Sequence, residues 1–425
     1  MAITTSLFRL ANAEAFIENV QSNSNFYLAI GRPFPWTDDL LAPSPIDNQS
    51  VNPMYWKESM AARKVQASDV VQATRRINWT TGTVYTQYDS TINIINLSFF
   101  VLTSDYNVYK CISNNNGAQS VNMPTGTNTS IFQTADGYQW KYMYTVAQAD
   151  AIKYNSNVYI PVRTNSVVTA AAIDGGIHNI KVTAGGTGYS SASIVVTGDG
   201  TGFTGTVTLN SGVVTGIVVT DPGTGYTIAH AEITGNGTGA TADTIISPPG
   251  GHGFDAESEL NSYYVLLSNE LSFNIDTDFP RNNDYRRILL IKDPTLQGTS
   301  TVASGSTYNL TTTFEIVHVS GSTTITTDDT LTGVTSGSVV RAVEVTEVDD
   351  VPLTYSIRTV QDLDASVGTM TTENITTSGG GTWTINSITE PELNHGSGSI
   401  IYVEQRRPIM RADDQTEIII ISLIF

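Results

Sequence analysis

IIYVEQRRPIMRADDQTEIIIISLIF, residues 400–425, is the stretch whose reading decides the fold. Residues 400–403 and 417–425 are rich in β-branched and aromatic side chains, whereas 406–415 carries the charges, so the stretch predicts two β-strands around a polar loop. The chain is therefore expected to end inside a sheet. Chain ends fray unless something ties them down, and an apolar strand at this position predicts that Phe425 is buried by its own domain or by a partner. The loop and the start of the second strand hold Arg406, Arg407, Arg411, Asp413, Asp414 and Glu417. Two readings of that cluster stand side by side: an internal set of salt bridges that fixes the turn, and a contact between subunits.

Working outward, four more segments stand out in order. They are NFYLAIGRPFPWTDD (25–39), VYKCIS (108–113), DGYQWKYMYTV (136–146) and DFPRNNDYRRILLIKDP (278–294). Together with the pattern aromatic-Val-Glu-x-Arg-x-Pro-Ile followed by Asp-Gln-Thr-Glu-x-Ile in 402–419, the set resembles the dimeric baseplate wedge subunit of T-even-type contractile-tailed phages. The resemblance covers 1–165, 254–295 and 396–425, which it implies are one discontinuous core domain. Residues 166–253 and 296–395 have no counterpart in it and read as inserted domains.

That resemblance implies a structural virion protein of the tail baseplate, made and assembled in the host cytoplasm. Its partners would be a second copy of itself, as a homodimer, and other wedge subunits. It implies no catalysis, no cofactor and no small-molecule substrate. The assembly residues it brings forward are Trp36, Trp56, Arg406, Arg407, Asp413 and Asp414, since Trp and Arg are favoured anchors at interfaces. Core packing is the competing reading for the two tryptophans.

Composition narrows the classes independently. A chain of 425 residues is long enough for about three domains. The formal net charge of -19 argues against nucleic acid, which is bound through concentrated Lys and Arg. No apolar run approaches the roughly 18 residues needed to span a bilayer, so no membrane partner is expected, and 1–20 lacks the basic-then-apolar pattern of a secretory signal. The single cysteine, Cys111, lies in the alternating run VYKCIS and reads as a buried strand thiol.

The expected fold class is α+β, mainly β with a minor helical part, built of several β-hairpin and sandwich-like modules. Leu10, Ala13, Phe16, Ile17 and Val20 share one face at helical spacing and predict a helix over 7–20. A second helix is predicted over 54–74, from Trp56, Met60, Val65, Val70 and Val71. Between them, 33–53 holds five prolines and predicts an extended segment laid over another surface. From 79 to 146 the pattern is β, including 84–90 and 92–102, with 157–162 closing the domain.

The segment 166–253 contains an internal repeat. GTGY occurs at 186–189 and 223–226, and TGDGTG at 197–202 returns as TGNGTG at 234–239, each displaced by 37 residues (186 to 223, 197 to 234). Each copy reads strand, Gly-Thr-Gly-Tyr turn, strand, Gly-rich turn, strand. A phosphate-loop reading fails because no helix pattern or Lys follows the glycines. Tyr189 and Tyr226 read either as plugs at the ends of their strands or as stacking platforms for a sugar. The second option keeps alive an alternative function, a receptor- or carbohydrate-binding phage tail protein. Residues 296–395 read as an acidic β-sandwich-like domain, a small sandwich or barrel by composition, whose carboxylates are opposed only by Arg341 and Arg358.

No catalytic constellation appears. The histidines, 178, 230, 252, 318 and 395, lack the spacing of a zinc set, and no Gly-x-Ser-x-Gly elbow occurs. His252, in PPGGHGFD, reads as a structural or incidental turn residue. Asp276, Asp278, Asn282, Asn283 and Asp284 could offer oxygen ligands, but their register is not that of a calcium loop.

Overall fold

The computed structural model describes residues 4–154, 156–272, 278–362, 368–412 and 414–425. It is mostly β, with several sheets, a closed barrel and a small helical part. The chain divides into two compact units. One comprises Met1–Ile17, Val71–Leu267 and Ile421–Phe425, the other Glu18–Val70 and Ser268–Ile420. Residues expected to make one discontinuous core are thus shared between the two units.

The unit of Glu18–Val70 and Ser268–Ile420 is organised on a five-stranded antiparallel sheet. Its order is Thr307–Asn309, Ser59–Lys64, Phe26–Gly31, Asn283–Lys292, Ser399–Arg411. All six residues of Phe26–Gly31 are buried, because both faces of this central strand are covered. The same effect explains why the helix expected over 54–74 is wrong. A helix does begin in this region, but it spans only Asn52–Lys57, and the chain then enters the strands Ser59–Lys64 and Val70–Arg75. Ser59, Met60, Ala61 and Ala62 are buried consecutively, so the segment has no alternation to betray a strand, and pairing with Phe26–Gly31 overrides the helical spacing.

The polar loop expected over 406–415 is also shorter than its composition suggests. The strand Ser399–Arg411 runs through the charged residues, and only 412–416 separates it from Glu417–Ile424. As the outermost strand of the sheet it can keep Arg406 and Arg407 at its open side while its other edge pairs with Asn283–Lys292.

Of the sandwich and barrel readings, residues 312–389 form the closed barrel. Its order is Thr312–Gly321, Leu353–Gln361, Val339–Asp350, Thr330–Gly333, Asn374–Thr377, Gly381–Thr389, and the first and last strands pair. Phe314, Ile316, Leu331, Ala342, Ile357, Ile375 and Trp383 fill its interior. The composition specified alternating strands; closure came from register shifts in Thr312–Gly321 and Val339–Asp350, which curve the sheet onto itself.

In the other unit the helix Ser6–Glu18 buries Leu10 and Ala13 as expected, with Phe16 half-buried against Phe425 at 5.6 Å between ring centroids. Phe425 is itself half-buried, its N–H donating to Tyr263 O at 3.2 Å. The hairpin sheet orders Phe100–Leu102, Asn107–Ser113, Gln139–Thr145 and Phe132–Gln133. The strands expected over 84–90 and 92–99 do not form. Asp89 accepts from the Thr91 N–H and Asn93 from that of Ile95, local bonds that turn the backbone out of a ladder. Tyr159–Pro161 joins Val70–Arg75 in a separate sheet of order Glu417–Ile424, Tyr264–Leu271, Val70–Arg75, Tyr159–Pro161.

The repeat folds as read. Strands Ile177–Thr187, Ala192–Gly198 and Thr201–Asn210 of the first copy correspond to Val213–Thr224, Ala229–Gly235 and Thr238–Ile246 of the second. The two middle strands pair with each other, and the first strand of each copy pairs with the third of the other. The copies are therefore exchanged into one module with an internal pseudo-two-fold. Tyr189 and Tyr226 are both buried, each ring lying on a glycine of a Gly-rich turn, Gly237 and Gly200. They plug strand ends and offer no free face for a sugar.

Candidate functional site

Trp36, Arg406 and Arg407 are brought together within one unit, and the geometry begins at Gly31. A Cβ there would lie 2.5 Å from Glu58 O, so only glycine allows the two strands to approach. Arg32 follows at φ +59°, a left-handed turn that sends the chain out of the sheet. Its N–H donates to Glu58 O at 2.7 Å and its guanidinium to Glu58 Oε1 at 2.7 Å. The same carboxylate takes Arg287 on Oε2. All three side chains are at least nine-tenths buried. Arg32 lies over the Trp36 ring at 4.2 Å, and Arg287 over the Tyr55 ring at 4.4 Å.

From this turn the proline-rich segment follows the outer strand of the sheet. Trp36 Nε1 donates to Arg406 O at 2.8 Å, and Arg407 Nε donates to Leu40 O at 2.9 Å. Arg286 clamps the segment from within the sheet, with bonds of 2.9 and 2.8 Å to the two Asp39 oxygens and of 2.9 Å to Pro33 O. The Arg286 hydrogen bonds hold the Asp39 carboxyl below the ordinary range. The segment thereby shields an exposed sheet edge and satisfies a carbonyl that would otherwise face water. Leu40, Leu41 and Met410 remain exposed around it.

Arg406 also pairs with Glu404, and Arg411 pairs with Glu417 at 3.3 Å, where the Tyr285 hydroxyl donates to the same oxygen at 3.2 Å. Burial pushes the Glu417 carboxyl up, opposed by Arg411. Trp56 is elsewhere: it is 1% exposed in the core with Tyr27, Leu289 and Leu393, and 5.8 Å from the His395 ring. Asp414 is exposed, and Asp413 lies outside the described residues, as does Asp276. Of the other oxygen-rich loop residues, Asp278 accepts from Thr307 and Asp284 pairs with Arg286.

A second charged cluster was missed because its members are far apart in sequence and each looks ordinary alone. Lys110, in the strand next to Cys111, is wholly buried and its Nζ lies 2.7 Å from Glu259 Oε2 and 3.1 Å from His252 Nδ1. The ammonium sits 3.9 Å from the Tyr88 ring centroid. Glu259 Oε1 accepts from the Gly253 and Asp255 N–H groups at 2.7 and 3.3 Å. Burial opposes ionisation of Glu259, but the Lys110 charge and its hydrogen bonds win and hold the carboxyl down at about 2. Burial, with the neighbouring lysines, lowers His252 to about 3 and His178 to about 4. Cys111 is buried and its thiol pushed up by that burial, as a strand thiol should be. A faint sequence signal did exist: a lysine in the middle of an otherwise apolar strand demands a buried partner.

Among the described residues no group of three or more His, Cys, Asp or Glu could hold a metal ion. No protein-family model and no curated protein matches this chain.

Proposed function

We propose that this chain is a structural subunit of a contractile phage tail baseplate wedge, acting through contacts with a second copy and with other wedge subunits. The observation that carries the reading is the ordered set of five sequence blocks. Their placement in the fold supports treating them as a set: 25–39, 278–294 and 400–411 supply adjacent strands of one sheet together with the segment along its edge, and 108–113 and 136–146 supply paired strands of another.

The proline-rich segment suits such a role. It is held by Arg286, by Arg407 and by the Arg406 carbonyl of its own unit and yet leaves Leu40 and Leu41 exposed, so an apolar contact is presented by a pre-stiffened backbone that loses little entropy on docking. Function is then binding that persists or re-forms while the baseplate rearranges on host contact. The test is the mass of the purified chain in solution together with antibody labelling of intact particles in electron microscopy. A dimer and label at the baseplate are expected; a monomer and unlabelled tails would overturn the reading.

A further inference from the structure

We propose that Lys110 and Glu259 become joined by an intramolecular amide bond between Nζ and Cδ, formed by the folded protein itself with His252 as the proton carrier. The pieces such a condensation needs are assembled at one place. The amine is 2.7 Å from the carboxylate oxygen it would displace, and both side chains are sealed from solvent, at 0% and 3% exposure. The opposite oxygen, Oε1, is held by the N–H groups of Gly253 and Asp255, which are placed to stabilise the negative charge that develops there on attack. His252 Nδ1 is 3.1 Å from Nζ, within hydrogen-bond reach of the group that loses a proton, and 3.8 Å from Oε2, so that a small approach in the step itself brings it to the group that must gain one. The Tyr88 ring closes the Lys110 side.

The step balances without any co-reactant. The pair starts as ammonium and carboxylate, and a proton passes from Nζ to Oε2 to give amine and acid; burial favours this exchange because it removes two desolvated charges, while the Lys110 attraction and the hydrogen bonds to the carboxylate oppose it. The Nζ lone pair attacks Cδ, and the C=O electron pair moves onto Oε1. The remaining excess proton on nitrogen goes to neutral His252, whose imidazole is kept free of its own proton by burial and by the Lys110 charge. His252 returns that proton to the departing Oε2 hydroxyl, the Cδ–Oε2 bond breaks, Oε1 regains its double bond, and one water leaves. An amide is the only product that remains in the protein, and hydrolysis needs water at a site that excludes it.

The bond has a mechanical consequence. Lys110 and Glu259 are 149 residues apart, and the repeat module lies wholly between them. The amide would close that length into a ring, so tension along the chain passes from the Asn107–Ser113 strand to the helix Ala256–Glu259 without unravelling the module.

The experiment is proteolysis of the purified full-length chain under denaturing conditions, followed by mass spectrometry. A branched peptide uniting the Lys110 and Glu259 fragments, lighter than their sum by one water, is expected. Recovery of Lys110 and Glu259 only in separate linear peptides overturns the proposal, and this readout needs no variant to fold. Lys110→Met should lose the branched peptide and migrate more slowly in a denaturing gel. In a time course that starts from chain recovered unfolded from inclusion bodies and shown by mass to lack the amide, His252→Asn should slow its appearance by about a hundredfold or more, the scale of general acid–base catalysis; an unchanged rate removes His252 from the step.

Discussion

The indole of Trp36 donates to the main-chain carbonyl of Arg406 at 2.8 Å, a bond between residues 370 positions apart. It ties the segment leaving the central strand to the last strand of the same sheet, and Arg407 repeats the tie in reverse by donating to Leu40 O. Trp36→Phe keeps a ring under Arg32 but removes this donor. It should cost about 0.5–1.5 kcal/mol, and Trp36→Ala more, by the lost cation–π contact. Urea unfolding of the two variants checks the order; a Trp36→Phe midpoint equal to wild type would show that the indole N–H contributes nothing, and equal loss in the two variants would show the same of the ring beneath Arg32.

Glu58 is the only carboxylate bonded to both Arg32 and Arg287 among the described residues. Removing it takes the bridging carboxylate from two buried guanidinium groups, so Glu58→Ala should destabilise the protein by about 3–5 kcal/mol. A denaturant midpoint within error of the wild type would rule the clamp out as a stabilising element.

Gly200 and Gly237 are equivalent under the repeat, and a Cβ on either would lie 2.5 Å from the ring of Tyr226 or Tyr189. Gly200→Ala and Gly237→Ala should therefore each cost about 1–3 kcal/mol, by near-equal amounts. Calorimetry of the two variants should superimpose; a large asymmetry contradicts the pseudo-two-fold.

His178, His252 and His395 are lowered from 6.5 to about 4, 3 and 4, each chiefly by burial. The unfolded chain binds these protons at higher pH than the folded one, so the folded state loses stability as pH falls from about 6.5 towards 4. The slope is up to about 1.4 kcal/mol per pH unit for each histidine. Unfolding free energies at pH 7.5, 6 and 5 should fall in that order, and His252→Gln should flatten the trend.

On the proposed role, Arg407 is exposed on the outer strand beside exposed Leu40. Arg407→Glu should leave the far-ultraviolet circular dichroism unchanged while lowering dimer content and incorporation into particles. Wild-type sedimentation and incorporation would remove Arg407 from the assembly surface.

Several of these relationships were readable from residue order. The amphipathic face of Leu10 and Ala13, the strand 26–31, the buried Cys111 and the 37-residue repeat, with its tyrosines as plugs, follow from local periodicity and turn chemistry. The failures share one cause. Residues 59–64 looked helical because a strand covered on both faces has no alternation, and the charged stretch 406–411 looked like a loop because an edge strand can carry charges on its open side. Barrel closure depended on register shifts that no strand encodes alone.

The amino-acid sequence by itself determined the β-rich class, the repeat and the apolar strands, since backbone preference and hydrophobic period act over a few residues. Only the tertiary structure decided which charges meet. Trp36 reaches Arg406, Glu58 reaches Arg287, and Lys110 reaches Glu259 across gaps of 370, 229 and 149 residues. Such pairs are selected by strand order and by the cost of leaving a buried charge without a partner, and neither is written in any local stretch of the chain.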